Sequence, residues 1–151
     1  MMAKILVPTD GSDTARKAAR YAYELASLSG GRITLLSVVD RSAFVGRPSV
    51  PSSETPTHLV EPLEDYLRQA AEADMSEIEK LGTLKGIETR MVIRYGHPVE
   101  EILEEAKKSK IDLIVMGSHG KSALAAALLG SVTFGVVHKD TGIPVLIVPR
   151  S

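Results

Sequence analysis

Short apolar runs alternate with longer segments of helical spacing along this chain. The runs lie at 5–7, 33–39, 89–95, 113–116 and 144–148. The runs at 5–7, 33–39 and 113–116 contain no charged residue, which is typical of strands buried on both faces of a sheet. The pattern therefore predicts five short strands.

Between the runs, apolar residues recur at the three- and four-residue spacing of an amphipathic helix. This spacing predicts helices over 15–26, 59–81, 98–110 and 132–138. Ser12 or Asp13 can cap the start of the first helix, and Gly30-Gly31 can end it. Gly82 and Gly86 are expected to break the second helix.

The third predicted helix starts at Pro98, a residue suited to the first helical position. Its acids come early and its lysines come late, as the helix dipole favours. We expect the acids to form a solvated face with partners among the lysines; they are Glu100, Glu101, Glu104 and Glu105, followed by Lys107, Lys108 and Lys110.

Strands and helices alternate throughout, which predicts an α/β fold with a parallel sheet and helices on both faces. The 151 residues suit one compact domain spanning 1–151, without an internal repeat. Residues 40–57 form a polar, proline-rich excursion that is long for a loop. It is expected to be mobile, or to act as a lid or an interface.

Composition excludes several classes of function. The chain has no cysteine, so a disulfide scaffold, thiol catalysis and cysteine-ligated metal are excluded. A net charge of −1, no Trp and two Phe give no broad attraction to nucleic acid or anionic membranes and few stacking platforms. No apolar stretch approaches the roughly 20 residues of a bilayer span, and the N-terminus does not resemble a signal peptide. We expect a cytoplasmic protein that binds neither nucleic acid nor membranes.

The strongest chemical signal is the glycine- and serine-containing loop from Gly117 to Ser131. It follows the fourth predicted strand, and open α/β sheets bind ligands at the carboxyl ends of their strands. Gly117 and Gly120 allow close approach of a phosphate. Gly130 and Ser131 precede a helix, which Ser131 could cap and whose first N–H groups form an anion site. Ser118, Lys121 and Ser122 could add phosphate contacts.

Common nucleotide motifs do not account for this loop. Gly120-Lys121-Ser122 matches the end of a P-loop, but the leading glycine would fall on Val115. The G-x-G-x-x-G pattern also fails. From the residues alone, the loop is either a phosphate site or a glycine-rich surface turn.

The spacing of the glycines also carries a family resemblance. The spacing resembles that of the ATP-binding branch of the universal stress protein (UspA-like) family. In this chain, two residues separate Gly117 from Gly120, and nine residues separate Gly120 from Gly130-Ser131. The segments 4–12, 113–120 and 144–148 are similar to that family as well, so the resemblance covers essentially the whole chain.

The resemblance implies a five-stranded parallel sheet in the order 3-2-1-4-5, of the Rossmann-like type, with a crevice between strands 1 and 4. It implies that ATP, whose phosphates could carry Mg²⁺, binds there. Asp10 would bond the nucleoside, Val38 would contact adenine, and Gly117 would approach the ribose. The full set of implied binding residues is Pro8, Thr9, Asp10, Val38, Met116, Gly117, Gly120, Gly130, Ser131 and Val132. The segment 40–57 is the family's variable loop.

Other titratable residues have simpler interpretations. Asp10 could cap the first helix rather than bind a ligand. His119 could touch phosphate or a metal, or face solvent in a turn. His58, His97 and His138 lack metal-ligand spacing and are expected at the surface.

The sequence favours an ATP-binding switch or sensor in a stress response. Bound nucleotide would order the loops, and the resemblance implies a homodimer through Pro144 to Val148. No residue is identified as a base for phosphoryl transfer, so binding without rapid turnover is expected. The alternatives are a slow ATPase or nucleotidyl-transfer enzyme, and a protein-interaction module that does not use nucleotide.

Overall fold

The computed structural model describes residues 3–40, 57–120 and 128–150, in which five strands form one sheet. The strand order is β3-β2-β1-β4-β5 and every neighbouring pair is parallel. The predicted fold class and strand order are therefore confirmed. The strands are β1 (Lys4–Pro8), β2 (Arg32–Val39), β3 (Thr89–Tyr95), β4 (Leu113–Gly117) and β5 (Val145–Val148).

Four helices occur in the described part of the chain: α1 (Asp13–Ser29), α2 (Thr57–Lys85), α3 (Pro98–Lys108) and α4 (Ser131–His138). The start of α1 is fixed by Ser12, whose side-chain oxygen accepts a hydrogen bond from the Ala15 N–H at 3.1 Å. Its end is fixed by Gly30, which adopts the left-handed conformation at φ 68°. Both predicted caps of α1 are confirmed.

The helices cover the sheet on both faces, because each central strand is apolar on both sides. Ile5, Val7 and Ile33 pack under α1 and α2, whereas Leu6 and Leu36 pack under α3 and α4. Successive side chains along a strand point to opposite faces of the sheet, so adjacent residues of one strand pack into different hydrophobic cores. The carboxyl ends of the strands are thereby held at one rigid edge.

Gly82 does not break α2, contrary to the prediction. The helix continues to Lys85, and a Cβ at Gly82 would lie 2.5 Å from Tyr23 Cε1 and 2.7 Å from Thr89 Oγ1. Glycine is needed here because α2 packs closely against the Tyr23 ring, whose hydroxyl is 2.8 Å from Thr89 Oγ1. The helix ends just before Gly86, which adopts a φ of 69°, so the prediction for Gly86 is confirmed.

The solvated face predicted for the acids of α3 is confirmed only in part. Glu100 and Glu104 are exposed, but the ion pairs of these acids within the described residues are with arginines and not with the lysines. Glu105 is buried, and its carboxylate accepts hydrogen bonds from Arg90 at 3.1 Å and Arg94 at 3.0 Å. Arg94 also pairs with Glu101 at 2.8 Å. The arginines of β3 reach α3 because α3 packs against β2, the strand that pairs with β3.

Candidate functional site

A cleft opens at the carboxyl ends of β1 and β4, where the order of strands reverses. β1 pairs with β2 on one side and with β4 on the other, so the connecting helices leave in opposite directions. This switch point is where open α/β sheets form ligand sites. The cleft encloses about 740 Å³ of space that is partly open to solvent.

All ten predicted site residues line this one cleft, although they come from four separate stretches of sequence. Their contact with a nucleotide stays a prediction. They are Pro8, Thr9, Asp10, Val38, Met116, Gly117, Gly120, Gly130, Ser131 and Val132.

The turn after β1 is held by its own side chains. Thr9 is buried, and its hydroxyl oxygen accepts a hydrogen bond from the Gly11 N–H at 3.2 Å. Asp10 Oδ1 accepts from the Ser12 N–H at 3.0 Å. Since Ser12 caps α1, the alternative in which Asp10 serves as the cap was wrong. Asp10 instead fixes the turn and lies exposed at the cleft.

The end of β4 and the loop that follows it lie close to the start of α1 and to the turn after β1 at two glycines. A Cβ at Gly120 would collide with Asp10 Oδ2, and a Cβ at Gly117 would lie 2.5 Å from Thr14 Cγ2. The glycines thus allow the two walls of the cleft to meet. Gly117 and Gly120 therefore have a packing role, which is separate from the close approach of a phosphate predicted for them.

The start of α4 faces the same cleft, but its cap differs from the prediction. Gly130 is the N-cap and Ser131 is the first helical residue, so Ser131 does not cap the helix. Gly130 donates its N–H to the Ser118 carbonyl at 2.7 Å, and Phe134 N–H donates to the Gly130 carbonyl. Phe134 N–H makes the first hydrogen bond within the helix. The N–H groups of the residues before Phe134 in the first turn have no carbonyl partner within the helix.

His119 is buried at the cleft wall, so its predicted alternative of facing solvent was wrong. Its Nδ1 lies 2.8 Å from Ser118 Oγ, and Ser118 is buried as well. Ser118 is not among the cleft-lining residues, which removes the expectation that its hydroxyl contacts phosphate. The backbone of 118 bonds to β5 and Gly130, which turns its side chain inward.

Sequence reasoning missed part of the lining. Leu36 precedes Val38 by two positions on the same strand face, so strand alternation could have identified it. Ile102 and Pro98 come from α3, and only tertiary packing brings them to the cleft. Thr133 was missed too: its hydroxyl donates to the Gly117 carbonyl at 2.7 Å and ties α4 to the end of β4.

The structure also bears on the predictions for the histidines, metal binding and membrane spans. His97 and His138 are exposed, as expected. Across 3–40, 57–120 and 128–150 there is no group of three or more His, Asp or Glu residues arranged to hold a metal ion. No helix in those ranges is long and apolar enough to cross a membrane. The side chain of His58, the loop residues 41–56, and Lys121 and Ser122 lie outside the described residues.

The chain is similar to known proteins along nearly its full length. It is 36% identical to universal stress protein MJ0531 of Methanocaldococcus jannaschii over 147 residues, covering 97% of this chain and 82% of that protein. It is 34% identical to the solved structure of MJ0577, with a TM-score of 0.86 and coverage of 100% and 98%. UspA from Lactobacillus plantarum gives 30% identity, a TM-score of 0.82 and 97% coverage of each chain.

The family comparison agrees with these relatives. The model of the universal stress protein family matches residues 1–149. By this match, and by relatives above 30% identity over almost the entire chain, the protein belongs to the universal stress protein family.

Proposed function

We propose that this protein binds ATP in the cleft between β1 and β4 and acts as a nucleotide-dependent switch. The observation that carries the proposal is that Asp10, the first turn of α4 and an apolar wall line the same cleft. An adenine nucleotide has a chemical group suited to each of these three surfaces. A universal stress protein structure 26% identical to this chain, with a TM-score of 0.69, is a complex with cAMP, which supports the adenine nucleotide class.

The apolar wall suits the base. Pro8, Leu36, Val38, Ile102 and Met116 supply aliphatic surface from three strands and α3. Ligand pockets of this kind gain affinity from apolar contact and orientation from a few polar groups. We infer that adenine lies against this wall and that the Asp10 carboxylate accepts a hydrogen bond from a nucleoside hydroxyl.

The phosphates would lie at the first turn of α4. The N–H groups of Ser131 and Val132 belong to that turn, where the helix dipole also favours negative charge. Gly130 places no side chain in front of them. The backbone beside the phosphates is held by Thr133, which bonds to Gly117.

The direct test is to identify what the protein carries and how it responds to nucleotide. Ligand released from denatured, purified protein would be identified by mass spectrometry, and thermal unfolding would be followed with ATP, ATP plus Mg²⁺, and cAMP. ATP at a hundred times its dissociation constant should stabilise the fold by about 2.7 kcal/mol. No melting shift at saturating ATP would overturn the proposal.

A pair of matched variants tests the site itself. Asp10→Asn keeps the oxygen that accepts from Ser12 but removes the charge, and it should weaken ATP binding about tenfold or more. Asp13→Asn removes the same charge from an exposed residue outside the cleft and should leave ATP affinity nearly unchanged. Equal effects of the two variants would mean that general charge, rather than Asp10, attracts the nucleotide.

The switch would act through the two segments that the nucleotide joins. Gly120, in the segment leading to α4, packs against Asp10 in the turn after β1, so a ligand between the two segments would restrict both. Hydrogen exchange with and without ATP should show protection at 9–12 and 117–120. If ATP binds but hydrogen exchange in these segments does not change, the protein only carries the nucleotide, and the proposed switch is contradicted.

We also propose that the protein is a homodimer through β5. This strand is the last in the sheet order, and Leu146 on it is 38% exposed. On the neighbouring helix α4, Phe134 and Val137 are exposed as well. A second copy pairing along this edge would cover both the open strand and the apolar side chains.

A further inference from the structure

A second pocket lies at the opposite edge of the sheet from the nucleotide cleft. It opens at the amino ends of β1, β2 and β3, beneath the end of α3, and contains about 940 Å³ of partly open space. Among the described residues, five positively charged side chains from different elements line it, with one carboxylate, that of Glu88. They are Lys4, Arg32, Arg90, Lys108 and Lys110.

Most of this positive charge is not neutralised by ion pairs. Arg90 shares a hydrogen bond of 3.1 Å with the buried carboxylate of Glu105. The side chains of the other four cations make no ion pair with any residue in 3–40, 57–120 or 128–150. Asp112 lies nearby, but it accepts from the backbone N–H of Lys4 at 2.8 Å. The pocket therefore has an excess of positive charge.

Thr34 supplies a polar group at the floor of the pocket. It is 8% exposed and lies on β2, directly beside Arg90 in the register of the sheet. Its hydroxyl makes no hydrogen bond with the described residues. Although the residue is mostly buried, its hydroxyl is open to the pocket. A phosphate oxygen in the pocket could accept its hydrogen bond.

Lys110 is held in an unusual backbone conformation at the rim. It has a φ of 53°, in the left-handed region that favours glycine, and it follows the end of α3. The Ile111 N–H donates to the Ala106 carbonyl at 2.9 Å and the Lys110 N–H to that of Lys107 at 3.3 Å, which is the Schellman arrangement. Glycine or asparagine is usual here, so the lysine charge is placed at the pocket at some conformational cost.

We propose that this pocket is a second anion site, for a small polyphosphate or a ligand carrying two or more phosphate groups. Cations from three strands and the end of α3 surround the space, so a compact polyanion can be contacted from several sides at once. Ile33 and Ile111 are the apolar part of the described lining, and they offer no broad surface for a base. The site recognises charge, and it does not depend on the ATP-binding proposal.

The test is titration of the full-length protein with inorganic tripolyphosphate, followed by ¹⁵N-¹H NMR and by calorimetry. We expect shift changes at Thr34, Arg90 and 108–111. Changes restricted to 9–12, 117–120 and 130–133 would mean that tripolyphosphate occupies the nucleotide cleft alone, and would overturn the proposal. Absence of binding at millimolar tripolyphosphate would overturn it as well.

Three variants separate a built site from diffuse attraction. Lys110→Gly relieves the positive φ, so the fold should be at least as stable, while the affinity for tripolyphosphate should fall about tenfold. Thr34→Val keeps the shape of the side chain and should lower affinity about fivefold through loss of one hydrogen bond. Lys107→Gln removes an exposed charge that does not line the pocket and should leave affinity nearly unchanged. An effect of Lys107→Gln equal to that of Lys110→Gly would overturn the proposal.

Discussion

Thr9 donates a hydrogen bond from its hydroxyl to Asp74 Oδ2 at 3.1 Å, and this bond ties the end of β1 to the middle of α2. The other oxygen of Asp74 accepts from Arg16 Nε at 3.2 Å and Nη2 at 2.9 Å. One carboxylate therefore joins three elements directly behind the turn that carries Asp10. The position of the cleft wall depends on a helix that does not line the cleft.

Removing this carboxylate should affect both the fold and the cleft. Asp74→Ala leaves the Thr9 hydroxyl and the Arg16 guanidinium without their partner, which should cost about 1–3 kcal/mol of unfolding free energy. It should also weaken ATP binding severalfold, because Thr9 holds the turn next to Asp10. Urea unfolding and calorimetry would measure the two effects separately.

Glu77→Ala is the matched control for Asp74→Ala. Glu77 lies on the same helix, is 63% exposed and pairs with Lys80 alone among its described neighbours. Its loss should change stability by less than about 1 kcal/mol and leave ATP affinity intact. If Asp74→Ala lowers stability but binds ATP as tightly as the parent, the role of Asp74 is confined to folding.

Gly82→Ala tests the close packing of α2. Alanine is the better helix former by about 1 kcal/mol, yet its Cβ would lie 2.5 Å from Tyr23 Cε1. We expect net destabilisation of about 1–3 kcal/mol by overpacking, measured by urea unfolding. The exposed Ser76 on the same helix provides the control, because Ser76→Ala should be neutral or slightly stabilising. A more stable Gly82→Ala protein would contradict the close contact.

These residues also mark the limit of prediction from sequence. The strands were predictable because apolar runs at 5–7, 33–39 and 113–116 are dictated by burial on both faces. The cleft residues at 8–10 and 116–117 were predictable because the strand order implied by the family resemblance reverses between strands 1 and 4, where a switch point forms. The first inference uses local pattern alone, and the second also needs the family's strand order.

Gly82, Glu105 and Asp74 were beyond such reasoning. A glycine within a helix normally signals its end, and only the neighbouring Tyr23 ring explains why it continues. Glu105 lies among other acids on α3, and its burial depends on arginines of β3. Asp74 pairs with residues more than fifty positions away. Each role depends on a tertiary contact that sequence periodicity does not encode.

The buried Glu105 should make stability depend on pH in the acid range. Burial alone would raise the pKa of Glu105, but hydrogen bonds from Ser109 and Arg94 and the charges of Arg90 and Arg94 outweigh it and hold the pKa below the ordinary value of 4.5. A lowered folded-state pKa gives stability that is fully present above 4.5 and lost as the pH falls through the lower, folded value.

Glu105→Gln should therefore lower the free energy of unfolding by about 3 kcal/mol near neutral pH. This value is at the low end for breaking a buried ion pair, because the Arg90 side chain is well exposed. The difference between parent and variant should shrink as the pH falls below 4.5. Urea unfolding from pH 3 to 7 measures it. Glu104→Gln, at a residue that is 66% exposed, should change stability little at any pH. A difference for Glu105→Gln that is constant with pH would mean that lost packing, not the ionised carboxylate, is responsible.

The edge strand β5 gives the clearest test of the proposed dimer. Leu146→Lys would place a charge on the exposed position of a four-residue edge strand, where lysine opposes pairing with another strand. The variant should be monomeric by light scattering, while thermal unfolding should remain cooperative and ATP should still bind, because Leu146 does not line the cleft. Leu84→Lys on α2 is the matched control, since Leu84 is 85% exposed and α2 packs against β2 and β3, which are separated from β5 in the sheet order. A dimer that survives Leu146→Lys, or that is lost in Leu84→Lys, would place the interface elsewhere.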